Sequence, residues 1–407
     1  MSQFLGHRAT LVLRIATLGH QVTIFSTPQP DREDLLVLDQ IHAYRSELAD
    51  VMRMPKRWAG GLRRSMLARA IQGSNSIEGY EVAVDDAVAA LDDEDALSAD
   101  EQTFAEIRGY RQALGYVLAM AGDADFRLDV AAVRAMHFMM LSHDLSKSPG
   151  SYRQREIYVH DEKTGRNVYE GPTADEVPGL VEELMVELAG DSQVDSLVRA
   201  SMAHLNLVMI HPFRDGNGRM ARALQTLVLS QCGIGEPAFS SIEEWLGSNT
   251  EDYYRVLALT GAGSWQPDRS AALWVKFNLR AHHIQAQTVA RRYREAARLW
   301  TAFDELIAAF RLPDRVADEL FDATLGFRIR RSTYVRRADI EQRTATRDLG
   351  RLVELGLLRA VGETKGRHYV IGDRLTAVRR EVLEARSPVV DPYPWMRGRL
   401  LAALSVQ

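Results

Sequence analysis

The sequence predicts a mainly α-helical protein with a short β-hairpin set into its helical core and a small helix–helix–hairpin unit near the C-terminus. Three observations lead there. Apolar residues recur at helical spacing, most clearly at Val198, Met202, Leu205, Met209 and Ile210, then at Met220, Leu224, Leu227 and Val228. Short β-favouring runs flank a polar turn at Lys163-Thr164-Gly165. Late in the chain, two helical stretches are followed by two β-favouring runs around Thr364-Lys365-Gly366. At 407 residues the chain is long enough for more than one domain.

Taken in order, residues 1–30 read as an N-terminal extension closed by Pro28 and Pro30. Within it Thr10 to Phe25 is fairly apolar, but Arg14, His20 and Gln21 interrupt it and no small-residue cleavage site follows. It reads either as a strand pair or as an extension ahead of the first domain. Residues 31–101 form a helical region, with Asp92-Asp93-Glu94-Asp95 as a solvated charged loop. Residues 102–235 form the core, with a hairpin built from Ile157, Tyr158, Val159 and His160 on one side and Val168-Tyr169 on the other. Helices continue through 236–312, including the long stretch Trp274 to Leu306. Pro313 marks a linker into 313–375, and 376–407 is a tail.

In that late unit, Ser332 to Ala338 and Arg343 to Leu355 read as helices, and Arg359–Val361 with Arg367–Val370 as a hairpin. The order resembles a winged helix-turn-helix, with Thr344, Thr346 and Arg347 at the start of its second helix. From Phe327 to His368 there are eleven Lys or Arg against five Asp or Glu. That local excess suits contact with a phosphate backbone; protein docking is the other use of such a unit. The whole chain carries a net charge of −5, which argues against non-specific nucleic-acid binding by its full surface. The single cysteine, Cys232, cannot form an internal disulfide, and no apolar run is long enough to span a membrane. The expectation is a cytoplasmic enzyme with no membrane partner.

The chemistry concentrates in His211-Pro212-Phe213-Arg214-Asp215-Gly216-Asn217-Gly218-Arg219-Met220-Ala221-Arg222. Pro212 cannot continue the preceding helix, so a loop must begin there. Gly216 to Gly218 then stands at the start of the next helix. Glycines there let the backbone take positive φ, and the open N–H groups of a helix start bind phosphate. Arg219 and Arg222, three apart, share a helix face, and each guanidinium grips phosphate oxygens in pairs. Asp215 offers a hard oxygen to Mg²⁺, which needs only one or two carboxylates besides phosphates. His211 titrates near neutrality and suits a general base. A transition metal on His211 and Asp215 lacks a third His or Cys at a suitable spacing.

This stretch resembles the Fic family motif, H-P-F-x-[D/E]-G-N-G-R-x-x-R, at all nine specified positions. The resemblance implies a Fic-type helical core with a hairpin flap and the transfer of AMP from ATP to a hydroxyl of a target protein. It further implies that His211 deprotonates the attacking Ser, Thr or Tyr hydroxyl and that Phe213 anchors the loop. Asp215 would hold Mg²⁺, Gly216, Asn217 and Gly218 would cradle the inner phosphates, and Arg219 and Arg222 the outer ones. Ser74-Asn75-Ser76-Ile77-Glu78-Gly79 resembles the family's inhibitory motif, in which the Glu, here Glu78, pairs with the second motif arginine, here Arg222. Ser74 and Gly79 complete that pattern; Gly79 equally suits a plain helix end. In some relatives the same Glu supports removal of AMP.

Two weaker likenesses follow. Gly150-Ser151-Tyr152-Arg153 resembles the segment leading into the family's flap. Asn249, Tyr253 and Tyr254 resemble the Asn and paired tyrosines that lie near the adenine in many relatives. Ile157, Tyr158 and Val159 would align a target by main-chain pairing. Implied partners are ATP, Mg²⁺, a protein substrate that includes the chain itself, and a second copy in a homodimer. The other reading is a DNA-binding transcriptional regulator whose Fic domain senses nucleotide or modifies the regulator.

Overall fold

The computed structural model describes residues 23–53, 56–160, 167–190, 193–234, 241–363 and 366–404. Nearly all of the Thr10 to Phe25 stretch, the Lys163-Thr164-Gly165 turn and the Thr364-Lys365 turn lie outside the described residues.

The helices are α1 (Arg32–Arg53), α2 (Ala59–Ile77), α3 (Val84–Leu91), α4 (Glu101–Met120) and α5 (Val130–Leu141), then α6 (Val177–Ala189), α7 (Ser196–Ile210) and α8 (Asn217–Gln231). Next come α9 (Glu243–Ser248), α10 (Thr250–Gly261) and α11 (Ala272–Phe310). Between α5 and α6 lies the hairpin of β1 (Tyr158–His160) and β2 (Asn167–Glu170). The C-terminal part holds α12 (Ala317–Leu325), α13 (Arg331–Ala338), α14 (Gln342–Glu354), β3 (Leu358–Val361), β4 (His368–Ile371), α15 (Asp373–Glu384) and α16 (Met396–Leu404).

Aspartates start several of these helices. Asp100, Asp129 and Asp195 each accept a backbone N–H from the first turn of α4, α5 and α7. Each satisfies a donor the helix cannot satisfy itself. Helix α7 is buried along nearly its whole length, as is α8, so their polar residues must find internal partners. Asn206 does so by trading hydrogen bonds with Phe25, at 2.8 Å and 3.1 Å, which docks the end of the N-terminal extension on the core.

Two apolar clusters fill the molecule. One surrounds α7 and α8; the other gathers the C-terminal helices, β3 and β4. Three helices belong to both, α1 through Val37, Leu38 and Ile41 in the first and Leu48 in the second. Helix α11 gives Trp274, Phe277 and Leu279 to the first and Tyr293, Trp300 and Phe303 to the second. Helix α2 gives Ala68 and Ile71 to the first and Leu62 and Met66 to the second. The linker expected at Pro313 is therefore corrected. Leu312 and Val316 on either side of it are buried in the second cluster, and Pro313 only caps a single 3₁₀ turn.

The late unit has the helix–helix–hairpin order read from the sequence. β3 pairs antiparallel with β4, and Ile329 bridges to Tyr369 as a third edge. The charge reading changes, however. Arg330 and Arg336 reach Glu94, Arg328 reaches Asp85, and Arg337 reaches Asp322. Arg64 of α2 binds Asp92 and Asp322. The acidic 92–95 stretch is thus solvated only in part: Asp93 and Asp95 are exposed, while Asp92 pairs with Arg64 and Glu94 with Arg330 and Arg336. Thr344 is half-buried, Thr346 bonds back to Gln342 at 2.8 Å, and Arg347 is open to solvent.

Candidate functional site

The site forms where α7 ends and α8 begins. His211 closes α7 with φ 50° and ψ 58°, a left-handed conformation uncommon for a residue with a side chain. Pro212 disfavours a right-handed helical conformation at the residue before it, and His211 ends α7 as a left-handed cap with its N–H on Leu207 O. Phe213 is fully buried, and its ring lies flat on His137 with centroids 3.7 Å apart. Asn217 accepts from Phe213 N and donates to Phe213 O, both at 2.8 Å. The Asn217 side chain therefore shapes the loop, while its backbone amide lies at the open start of α8. Gly216 stands just before α8 with φ 75°, the conformation that favours glycine. Met220 is the first residue of α8 to bond back, to Gly216 O at 2.9 Å. The amides before it, at Asn217, Gly218 and Arg219, are those a helix start leaves open.

His211 Nδ1 lies 3.1 Å from Val208 O. A carbonyl only accepts, so Nδ1 carries the proton and Nε2 keeps its lone pair. Burial pushes the imidazole down to about 4, against an opposing pull from Val208 O and from the charges of Glu78 and Asp215. The expectation of an unperturbed, near-neutral titration is thus corrected: the ring is neutral well below neutral pH. Arg153 holds the turn from behind. It donates through Nε to His211 O at 2.8 Å, through Nη2 to Pro172 O at 2.6 Å, and its own amide reaches Pro212 O at 2.9 Å.

Both motif arginines are enclosed, and both already face carboxylates. Arg222 Nη2 lies 2.6 Å from Glu78 Oε1, and Arg222 also reaches Ser74 Oγ at 2.8 Å and Ser74 O at 3.0 Å. Glu78 caps the C-terminus of α2 and Gly79 follows with φ 86°, so the helix-end reading and the arginine contact hold together. Glu78 sits directly over Gly218: a side chain there would collide with Glu78 Oε1 and come within 3.2 Å of Arg222 Nη1. Arg219 Nη1 lies 2.5 Å from Glu106 Oε2. Two of the arginines' buried donors, Arg219 Nε and Arg222 Nη1, have no hydrogen-bond partner among the described residues. A buried N–H left unpaired is costly, and an anion above the helix start would satisfy it.

Sequence reasoning missed Glu106, Lys147 and His137. Glu106, on α4, takes Arg219, Lys147 Nζ at 2.6 Å and Tyr80 OH at 2.9 Å. Burial disfavours its charge, but Arg219 and Lys147 outweigh that and hold it down to about 2. His137 accepts from Gly150 N at 2.8 Å and donates from Nε2 to Asp215 O at 3.0 Å, tying the flap segment to the loop. A single Glu, Lys or His inside a helical pattern carries no spacing signal, so only the fold reveals these three.

Asp215 receives Gly216 N at 2.6 Å on one oxygen and Lys147 Nζ at 2.8 Å on the other. No group of three or more metal-ligating side chains occurs among the described residues. One partly exposed carboxylate beside unpaired phosphate-type donors nonetheless fits Mg²⁺ carried on a polyphosphate, which brings most of its own oxygens.

The flap runs beside this loop. Val159 pairs with Tyr169 and Tyr158 with Glu170. The outer side of β2 is occupied, because Glu170 N bonds Gly263 O and Trp265 N bonds Glu170 O. Gly171 N reaches Ile157 O at 3.2 Å, so Ile157 seats the base of the hairpin. The outer edge of β1, at Tyr158 and Val159, has no strand partner among the described residues. The downstream trio divides. Asn249 Nδ2 bonds Trp245 O at 2.8 Å and serves the α9–α10 junction. Tyr253 is enclosed against His204 and Trp274 and presents no face to a ligand, which corrects its expected place beside a base. Tyr254 is 47% exposed, and its hydroxyl donates to Ile77 O next to Glu78.

Comparison with known proteins gives a consistent picture. Residues 127–229 match the Fic/DOC family model. The chain is 25% identical over 272 residues to protein adenylyltransferase fic-1 of Caenorhabditis briggsae, covering 64% of this chain and 48% of that one. It is 29% identical over 179 residues to protein adenylyltransferase Fic of Culex quinquefasciatus, covering 42% and 32%. The match thus spans about half or less of these relatives. The crystal structure of a Fic family protein from Desulfovibrio desulfuricans shares the fold, with a TM-score of 0.54 at 22% identity over 85% of this chain and 98% of that one. No described helix is long and apolar enough to cross a membrane.

Proposed function

We propose, from the premise that the chain carries a Fic domain, that it is a protein adenylyltransferase moving AMP from ATP to a Ser, Thr or Tyr hydroxyl of a protein, itself included. The observation that carries this reading is a carboxylate standing in for an anion. Glu78 lies over the open start of α8, against a buried guanidinium that still has a spare donor.

Each residue then has a task. The exposed edge of β1 aligns an extended target segment by main-chain pairing, which fixes a hydroxyl without strict sequence demands. His211 Nε2 takes the hydroxyl proton as the oxygen bonds to the α-phosphorus. The bond from that phosphorus to the bridging oxygen breaks, and pyrophosphate leaves. The open amides of Asn217, Gly218 and Arg219 face the inner phosphates, and the guanidinium groups of Arg219 and Arg222 the outer ones. Mg²⁺, held by Asp215 when bound with the nucleotide, neutralises phosphate charge. Glu78 restrains the reaction by occupying Arg222 and placing negative charge where the outermost phosphate belongs. The DNA-binding regulator reading draws less support, because Arg328, Arg330, Arg336 and Arg337 are turned to carboxylates of the same chain.

The test is the intact mass of the Glu78→Gly protein after incubation with Mg²⁺ and ATP. A gain of one adenylate is expected, and none when His211→Ala is added. If label from α-labelled ATP never reaches protein in Glu78→Gly, the transferase reading fails. Competition among ATP, UTP, GTP and CTP identifies the preferred donor.

A further inference from the structure

We propose that Lys147 is an internal occupant of the cation position at Asp215, so that a divalent ion loads only by displacing its ammonium. The inference rests on the nucleotidyltransferase reading above.

Lys147 ends the 3₁₀ turn Leu145–Lys147, and Ser148 turns the chain away with φ 55°. Its side chain is only 16% exposed, and its Nζ bridges Asp215 Oδ2 at 2.8 Å and Glu106 Oε1 at 2.6 Å. Gly216 N takes Asp215 Oδ1 at 2.6 Å. Both oxygens of the loop's one carboxylate therefore already hold a donor, and the Lys147 ammonium stands where a cation would meet Oδ2. Among the described residues no second ammonium or guanidinium bonds Asp215, so Lys147 is the group that must move. Lys147 has somewhere to go. Glu106 stays within its reach, and Glu106 keeps Arg219 and Tyr80 when Lys147 shifts.

Charge explains what this arrangement selects. Arg219, Glu106, Lys147 and Asp215 form one continuous array of two cations and two carboxylates, neutral as a whole. Putting a divalent ion on Asp215 while Lys147 remains nearby leaves excess positive charge in a poorly solvated site, which is disfavoured. A metal ion that arrives on a polyphosphate brings the missing negative charge with it. Lys147 thus biases the site against bare metal and toward the metal–nucleotide complex, a discrimination built on repulsion as much as attraction.

Mn²⁺ binding to the full chain without nucleotide, followed by the loss of the free-ion electron paramagnetic resonance signal, tests this directly. Lys147→Met is expected to bind Mn²⁺ about tenfold more tightly than the wild type, the scale of removing one partly buried competing ion pair. Binding seen in Lys147→Met where the wild type shows none counts as the same result. Lys147→Arg, which keeps the positive charge, should stay near the wild type, and thermal unfolding of each variant guards against a folding defect. Equal or weaker binding by Lys147→Met overturns the proposal. So does tightened binding that survives Asp215→Asn, since the ion would then sit elsewhere. Neither result touches the transferase reading, which stands or falls on the adenylate mass gain of Glu78→Gly.

Discussion

Removing the Glu78 carboxylate should strengthen ATP binding by an amount the structure allows one to gauge. Arg222 is enclosed, with its side chain 1% exposed, whereas Glu78 is 23% exposed. Deleting one partner of a fully buried pair costs about 3–5 kcal/mol; solvent at Glu78 and the two bonds Arg222 keeps to Ser74 reduce this to about 2 kcal/mol. On the proposed function ATP displaces the same carboxylate, so its apparent affinity in the wild type is lowered by the same ~2 kcal/mol, or about 30-fold. Calorimetric titration of Glu78→Gly with Mg²⁺–ATP should recover that factor. Its unfolding temperature should fall without nucleotide and recover when ATP is added. Glu78→Gln keeps the volume and loses the charge, so comparing the two separates obstruction from electrostatics. An ATP affinity for Glu78→Gly within roughly twofold of the wild type would refute the competition argument.

Two further expectations follow from the same region. His211 is held down to about 4 by burial, so protonation favours the unfolded chain, and the stability it contributes is lost as pH falls from about 6.5 toward 4. The neutral base persists over the same range, so kcat/KM of Glu78→Gly should stay level from pH 8 to near 5 and fall close to 4; an acid limb at 6 to 7 would show that the ring is not buried in this way. Gly73 of α2 faces backbone: a Cβ there would strike Glu243 O and lie 2.7 Å from its carbonyl carbon. Neither side can yield, so Gly73→Ala should destabilise the protein by about 2–3 kcal/mol in urea unfolding, and a neutral result would mean that α2 and α9 do not pack this closely.

What could be read from the sequence was whatever has a period or a spacing. The α7–α8 pair was legible because its apolar residues repeat, and the loop between them because Pro212 and the glycines interrupt that repeat. The late helix–helix–hairpin unit was legible to within about a residue at most of its ends. The Glu78 contact was suggested by a six-residue pattern and needed the fold to give it a distance. The misreadings share a cause. Asp92 to Asp95 looks solvated because its partners, Arg330 and Arg336, stand far along the chain. Pro313 looks like a break because nothing local shows that Leu312 and Val316 enter one core. Tyr253 looks available because its enclosure depends on Trp274 and His204. Partnership between distant residues leaves no mark at either position alone.

Helix α11 has a practical consequence for anyone wishing to study the part of the chain around His211 by itself. At 39 residues it is a rod about 58 Å long, and its two ends serve different interiors. Cutting the chain after Pro313 would strip the covering from Leu299, Trp300, Phe303 and Ile307 and from Leu62 and Met66 of α2. The same helix α2 ends at Glu78. A truncated protein would therefore expose a greasy seam and loosen the helix that positions Glu78, and its behaviour would report on that damage as much as on the loop at His211.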